Sequence, residues 1–473
     1  MTCIRYTAKM LWKCLPYVLI AVLAPLSLSA QTQRAPPAYL ELRWDENWSY
    51  LRDHAQRHDY LDPLKYIPLH HNDWYLSLGG ESRTRYELFR HAGFGSAPET
   101  PNGFVIQRYL FHADAHFGPH MRLFVQAQSG LENGRVGGPR ATDRDVLDIH
   151  QGFIDLTTSA DGKKAVTFRL GRQELEFGSG HYFSASEVFN VRRSFDAARV
   201  FWKQGAWTWN ALVARPVEVN TEIFDDSTDH RQSVWAAGVF GPNPLIKKGN
   251  ISFYYIGYDR KVAVFDKGRG RETRHTMGTR ISGTAKSWDY NYEILFQVGS
   301  FGTGDILALG VATETGYSFP QWKFSPRFAV RSDTSSGDRD HKGTTLGTFN
   351  PLFPTTAYSG KIGLLGASNL VDLTPNARFR LSKRVYFLPE TSFFWRESIA
   401  DGVYSVVNSL QRTGQLSSAR FVGAQVSLPL QLAIDRHFTL TGLVTRFYAG
   451  QFLKETPPGR SVTYFTTFLT YKF

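Results

Sequence analysis

The sequence predicts an all-β fold, a transmembrane antiparallel β-barrel of about 18 strands (16–20), with long extracellular loops and short periplasmic turns. Three observations predict it. Side chains alternate in character with period two, the alternating runs reach ten residues or more, and short and long connections alternate along the chain. Soluble strands are usually ~5–6 residues, whereas a tilted membrane-spanning strand needs ~9–11.

Composition narrows the classes first. The chain has 473 residues, 42% of them apolar, with 54 Lys+Arg against 42 Asp+Glu. That apolar fraction is too high for disorder. Cys3 and Cys14 are the two cysteines and both lie near the N-terminus, which excludes a disulfide scaffold and a Cys-ligated metal site. The formal charge of +12 implies an acidic partner.

Taken in order, the chain opens with Arg5, Lys9 and Lys13, then the apolar stretch Leu15 to Leu28, then Ser29 and Ala30. This is the pattern of a signal peptide over residues 1–30, and the stretch is too short for a membrane helix. Residues 31–73 form a separate periplasmic N-terminal segment. Pro36 and Pro37 stiffen a linker, Asp45 is placed to cap a short helix from Glu46 to about Arg57, and Pro63 and Pro68 block helix beyond it. The barrel occupies 74–473. Its first strand, Trp74 to Arg90, puts Leu76, Leu78, Thr84, Tyr86 and Leu88 on one face and Glu81, Arg83, Arg85 and Glu87 on the other. Residues 105–117 and 288–298 repeat the pattern.

Further strands are expected near 121–131, 147–158, 165–175, 197–203, 206–216, 232–241, 250–260, 273–284, 305–315, 324–333, 371–382, 385–396, 418–428, 437–448 and 462–473. The last ends in Phe473, with Tyr471, Leu469, Thr467 and Phe465 at alternate positions. Such an ending resembles the signal read by the outer-membrane barrel assembly machinery.

The faces opposite the apolar ones are rich in arginine, and a barrel this wide has a polar lumen. The candidate pore-lining residues are Arg83, Arg85, Arg108, Arg122, Arg169, Arg172, Gln173, Arg199, Arg280, Arg327, Arg331, Arg378 and Arg380. Arg274 and Arg396 fall on the same faces. Strand parity turns Gln173 and Arg169 inward, and Arg172 joins them only through a bulge. Arginine matches carboxylate bidentately and stays charged, so the cargo it suits is anionic. The competing reading of each residue is a structural Arg–Glu or Arg–Asp pair between strands. Two long loops are candidates to constrict the pore, one carrying Arg192, Arg193 and Asp196, the other Asn350. His112, Asp114 and His116 share one face as a polar ladder, with a metal site as the less favoured reading. No nucleophile motif, phosphate loop or metalloprotease helix is present, so neither an enzyme nor a cofactor is expected. A nucleic-acid partner is not expected either, because the arginines lie on strand faces and form no basic run.

The segments DPLKYIPL (62–69), DIHQGFIDL (148–156), GRQEL (171–175), NVRRSFD (190–196), LGTFNPLFP (346–354) and LTYKF (469–473) resemble the alginate export family of outer-membrane β-barrels. The resemblance runs from about Leu40 to Phe473 and places Arg172 and Gln173 in the family's GRQ motif. It is closer to the broad family than to the alginate exporter itself, where the motif continues with arginine; here Glu174-Leu175-Glu176-Phe177 follows. It implies a monomeric 18-stranded barrel in the outer membrane of a Gram-negative bacterium. Lipid and lipopolysaccharide would surround it, and a periplasmic secretion partner would supply an anionic polysaccharide such as alginate or a related uronate polymer. The alternatives are an anion-selective diffusion porin for small solutes and, with thinner support, a barrel enzyme.

Overall fold

The computed structural model describes residues 38–71, 73–158, 165–355 and 360–473. The expected signal peptide, nearly all of the proline linker, and the turn Ser159–Lys164 lie outside the described residues.

Eighteen antiparallel strands close into a barrel. They are β1 (Trp74–Arg90), β2 (Phe104–Phe117), β3 (Met121–Asn133), β4 (Asp145–Thr157), β5 (Val166–Gln173), β6 (Phe195–Gln204), β7 (Trp207–Glu218), β8 (Gln232–Pro242) and β9 (Gly249–Phe265). There follow β10 (Gly268–Ala285), β11 (Trp288–Phe301), β12 (Gly304–Ser318), β13 (Arg327–Ser335), β14 (Leu370–Arg380), β15 (Val385–Phe387 continuing as Glu390–Trp395), β16 (Phe421–Ala433), β17 (Phe438–Ala449) and β18 (Val462–Lys472). Each pairs with its chain neighbour, and β1 pairs with β18 from Glu81↔Lys472 to Arg90↔Thr463, so the sheet has no open edge. β15 breaks at Leu388-Pro389 because proline donates no ladder bond.

The alternation read in the sequence becomes an inside and an outside. Met277, Phe296 and Leu309 sit directly opposite one another on β10, β11 and β12 and are all exposed, an apolar row turned to lipid. Their chain neighbours Thr276, Gln297 and Ala308 point the other way and are buried. No described helix is long and apolar enough to cross a membrane; the strands do so.

Connections on the periplasmic side are short, such as 118–120 and 205–206. On the extracellular side most are long, but β9–β10 and β11–β12 turn within residues 266–267 and 302–303, leaving a low rim. The long loop 336–369 folds over it: Leu346 N donates to Asp305 O at 2.7 Å, and Lys267 Nζ bonds Asp338 at 2.8 Å.

The N-terminal segment corrects one expectation. Residues 46–57 do not form an α-helix. The chain there makes 3-10 turns at Ser49–Arg52 and His54–Gln56, preceded by another at Arg43–Asp45. The α-helix forms instead at Asp62–Lys65, where Pro63 sits in the first turn and its missing N–H costs nothing. Trp48, Leu51, Tyr66 and Tyr75 form a small core under the turns. Arg43 donates to Gly80 O at 2.8 Å and Phe473 O at 2.6 Å, which fixes the segment across the β1–β18 seam.

Candidate pore constriction and its charged wall

The loop between β5 and β6 crosses the inside of the barrel. Just before it departs, Gly171 has φ +128°, and a Cβ there would lie 2.2 Å from Gly152 O, while the register with both neighbouring strands stays regular. Gln173 and Arg169 face inward and are fully buried. Arg172 and Asp196, expected at the pore, lie instead on the outward face with Leu170 and Ala198. They bond one another at 2.9 Å, because no bulge turns Arg172 back in.

Beyond Gln173 the chain is anchored at two walls. At the far wall Arg280 donates to Gly178 O at 3.0 Å, and Ser179 Oγ donates to Glu293 at 2.5 Å. Gly178 has φ +64°, which favours glycine, and a Cβ there would push the Glu293 carboxylate, 1.9 Å away, off its bond to Ser179. At the near wall Arg83 donates to the carbonyls of Glu187 and Phe189 at 3.1 and 3.0 Å, and Arg85 to Val188 O at 3.0 Å. Arg108 bonds Glu81 and Glu187, each at 2.5 Å. Arg192, within the loop, ion-pairs with Glu174 and Glu187. Burial works to raise the Glu187 carboxyl, but Arg108, Arg192 and Arg83 outweigh it and hold it well below the usual carboxylate range.

Arg193 donates to Ser184 O at 2.8 Å and lies over Phe353. Burial pushes its guanidinium down to about 10, so it stays charged at neutral pH.

The second expected loop meets the first. Ser184 N donates to Phe353 O at 2.8 Å and Phe353 N to Tyr182 O at 3.1 Å. Asn350 is a latch: its Nδ2 bonds Glu272 at 3.0 Å, its backbone N bonds Gln297 Oε1 at 3.0 Å, and its Oδ1 accepts from Asn408 at 3.0 Å. Leu175, Phe177, Phe183, Phe349 and Phe353 pack around this junction against Tyr254 and Ile256 of β9.

Below the constriction the register aligns Arg122, Asp155, Arg169 and Arg199 as direct neighbours on β3, β4, β5 and β6. Asp155 bonds Arg169 at 2.7 Å, and Asp114 bonds Arg122 at 2.7 Å. Trp44 of the N-terminal segment enters this mouth, its ring 4.1 Å from the Arg169 guanidinium, and its carbonyl accepts from Arg122 at 2.6 Å. A cavity of about 300 Å³ adjoins it, lined by Trp44, His116, His120, Arg122 and Arg169 among others. On the opposite wall Arg327 faces Arg378 across β13 and β14 and pairs with Asp289 and Glu314. Arg331 is buried, and Arg380 is exposed on the face it shares with Arg378. Among the described residues, Arg193, Arg199, Arg280, Arg378 and Arg380 take part in no ion pair.

The histidine ladder does not converge as a metal site. His112 stacks on Phe124, while Asp114 is engaged by Arg122 and His116. Sequence reading placed Glu293 among the inward acids, where it lies, but missed Glu187 and Trp44. Glu187 shows only as an acidic residue in a long loop, and Trp44 lies in a segment with no strand periodicity.

The Alginate export family model matches residues 74–467. Among curated proteins nothing matches. Among solved structures, OccD3 (OpdP) of Pseudomonas aeruginosa is similar at 11% identity and a TM-score of 0.56, covering 84% of this chain and 91% of its own. OpdK of Pseudomonas aeruginosa, solved with vanillate, is similar at 9% and 0.54, covering 84% and 98%. A BenF-like porin of Pseudomonas fluorescens Pf-5 gives 9% and 0.53 over the same shares. These likenesses establish the fold, that of an outer-membrane barrel, and by the family match over nearly all of its strands the chain belongs to the alginate export family.

Proposed function

We propose that this outer-membrane channel passes an anionic polysaccharide of the uronate type out of the periplasm. The observation that carries the proposal is a pair of arginines on the inward wall, Arg199 and Arg378, each set opposite another arginine. Arg199 lies directly opposite Arg169, and Arg378 directly opposite Arg327, and among the described residues neither Arg199 nor Arg378 has a carboxylate partner. Like charges directly opposite are destabilising unless an anion comes between them. A passing carboxylate satisfies Arg199 or Arg378, whose neighbours Arg169 and Arg327 already hold acids, and leaves again, because those acids, Asp155 and Glu314 among them, keep the attraction modest. In planar bilayers the purified protein is expected to favour anions under a salt gradient, with current blocked from the periplasmic side by uronate oligomers. Cation preference, or current indifferent to such oligomers, would overturn the proposal.

A second reading is a diffusion porin for small carboxylates. The constriction favours it, since the β5–β6 loop is tied to both walls and narrows the lumen. OpdK, similar in fold, was solved with the small aromatic acid vanillate. Saturation of the current by a small carboxylate with no oligomer block would select this reading.

A further inference from the structure

The extracellular loop 219–231, between β7 and β8, leaves its own strands to pair elsewhere. Leu147 N on β4 donates to Glu222 O at 3.4 Å, and Phe224 N donates to Leu147 O at 2.9 Å. There is a reason for the detour. β5 ends at Gln173 and its chain turns into the lumen, so at this height the wall has no strand between β4 and β6. The loop covers that gap.

The docking brings acids together. Asp148 of β4 and Asp225 and Asp226 of the loop each place a carboxylate oxygen within 4.8 Å of the others. Asp148 accepts from Asp226 N at 2.9 Å and Ile149 N at 2.6 Å, which offsets part of the repulsion, but three carboxylates so close still favour a cation among them. A second observation stands apart from this cluster. Asp145, also on β4, is 0% exposed, and its Oδ1 has no hydrogen-bond partner. Its Oδ2 has only Gln128 Nε2 at 3.5 Å. Gln128, which it touches, lies directly opposite Asp148 in the β3–β4 ladder, so the unpartnered carboxylate adjoins the same group. Buried carboxylate oxygens require a hydrogen bond or a cation. Arg172 bridges Asp196 at 2.9 Å and Asp148 at 3.7 Å, but pairs with neither Asp225 nor Asp226.

We infer that Asp148, Asp225 and Asp226, backed by Asp145, form a calcium site that latches this loop over the gap in the barrel wall. The donors are hard oxygens from flexible loop and strand positions, which suit calcium better than the stricter octahedron of magnesium. Two of the ligands come from the loop and one from the wall, so a bound ion would fasten one to the other.

The test uses the full chain purified in detergent, stripped with chelator and titrated with calcium chloride by calorimetry. One ion per chain is expected, with a dissociation constant on the order of 10⁻⁴–10⁻³ M as in other extracellular sites. Calcium is also expected to protect residues 219–231 from limited proteolysis. Asp225 is exposed, so Asp225→Asn should leave the barrel folded, judged by its heat-modifiable gel migration. That variant should weaken binding about tenfold, one lost carboxylate being worth ~1.4 kcal/mol, and Asp226→Asn should do the same. Absence of calcium-dependent heat in the parent chain, or unchanged binding and protection in both variants, would overturn the inference. Neither readout involves the cargo.

Discussion

Arg83 and Arg108 are direct cross-strand neighbours, an arrangement that should repel. Glu187, from a loop 79 residues from Arg108 and 104 from Arg83 in sequence, resolves it. This is why the arginines and their strand-borne partners such as Glu81 and Asp155 were legible as inward-facing while the partner from the loop was not. Period two fixes which side of a strand a residue faces, but nothing in it reports which loop will fold back to that side. Arg172 shows the complementary failure: the family motif suggested a pore residue, while the local geometry follows simple parity. Two predictions belong at this scale. Arg108→Ala leaves buried Glu81 with only Lys472 at 3.7 Å and removes a principal tether of Glu187, which should weaken loop docking by about 3 kcal/mol. The expected result is a larger, noisier single-channel conductance. Glu187 also gives the loop a pH dependence. Its folded pKa is depressed, so its contribution is fully present above the ordinary glutamate value of 4.5 and fades as pH falls below it. Conductance should therefore rise on acidification below about 4, and Glu187→Gln should remove most of that rise.

At the scale of elements, the strands were readable because alternation is enforced twice, by lipid outside and by charge inside. The N-terminal segment was not. Trp48, Leu51, Arg52 and Ala55 carry a helix-like spacing, yet they are divided among short turns that pack on Tyr66 and Tyr75. Tertiary packing overrode a weak local pattern. Lys65 allows the docking of this segment to be followed. It lies under the rings of Tyr39, Trp48 and Phe473, and burial, with repulsion from Arg43, pushes its ammonium down to about 7 from 10.5. A lowered amine pKa is a penalty, complete below about 7 and relieved as pH rises towards 10.5. Limited proteolysis within residues 39–73 should accordingly slow between pH 7 and pH 10, and Lys65→Met should flatten that dependence. Trp44→Ala tests the mouth: with the ring withdrawn from Arg169, periplasmic-side block by uronate oligomers should strengthen.

For the whole molecule, charge is distributed unevenly around the lumen. The ion-paired arginines Arg83, Arg108 and Arg192 secure the constriction, whereas Arg199 and Arg378 on the periplasmic side of it lack acidic partners. Replacing both Arg199 and Arg378 by Gln should lower anion preference, read as a reversal potential shifted towards zero, while leaving thermal stability nearly unchanged. Replacing Arg83 and Arg85 should do the reverse, loosening the loop more than it alters selectivity. The lipid-facing surface and the closed sheet follow from strand number and alternation, so the fold tolerates either change.

The contact of Arg43 with Gly80 and Phe473 bears on how the barrel is completed. Gly80 and Phe473 bond each other in both directions, N–H to carbonyl, at 2.9 and 3.0 Å, and Arg43 holds the two carbonyls at once. The guanidinium thus works as a clasp on a zip. It can fasten only when the first and last strands have met in the correct register, since a slip of one residue would present it with a single carbonyl. Barrel closure and N-terminal docking become one cooperative event, and Arg43→Ala should slow the appearance of the compact, heat-modifiable band during refolding while leaving the finished strands intact.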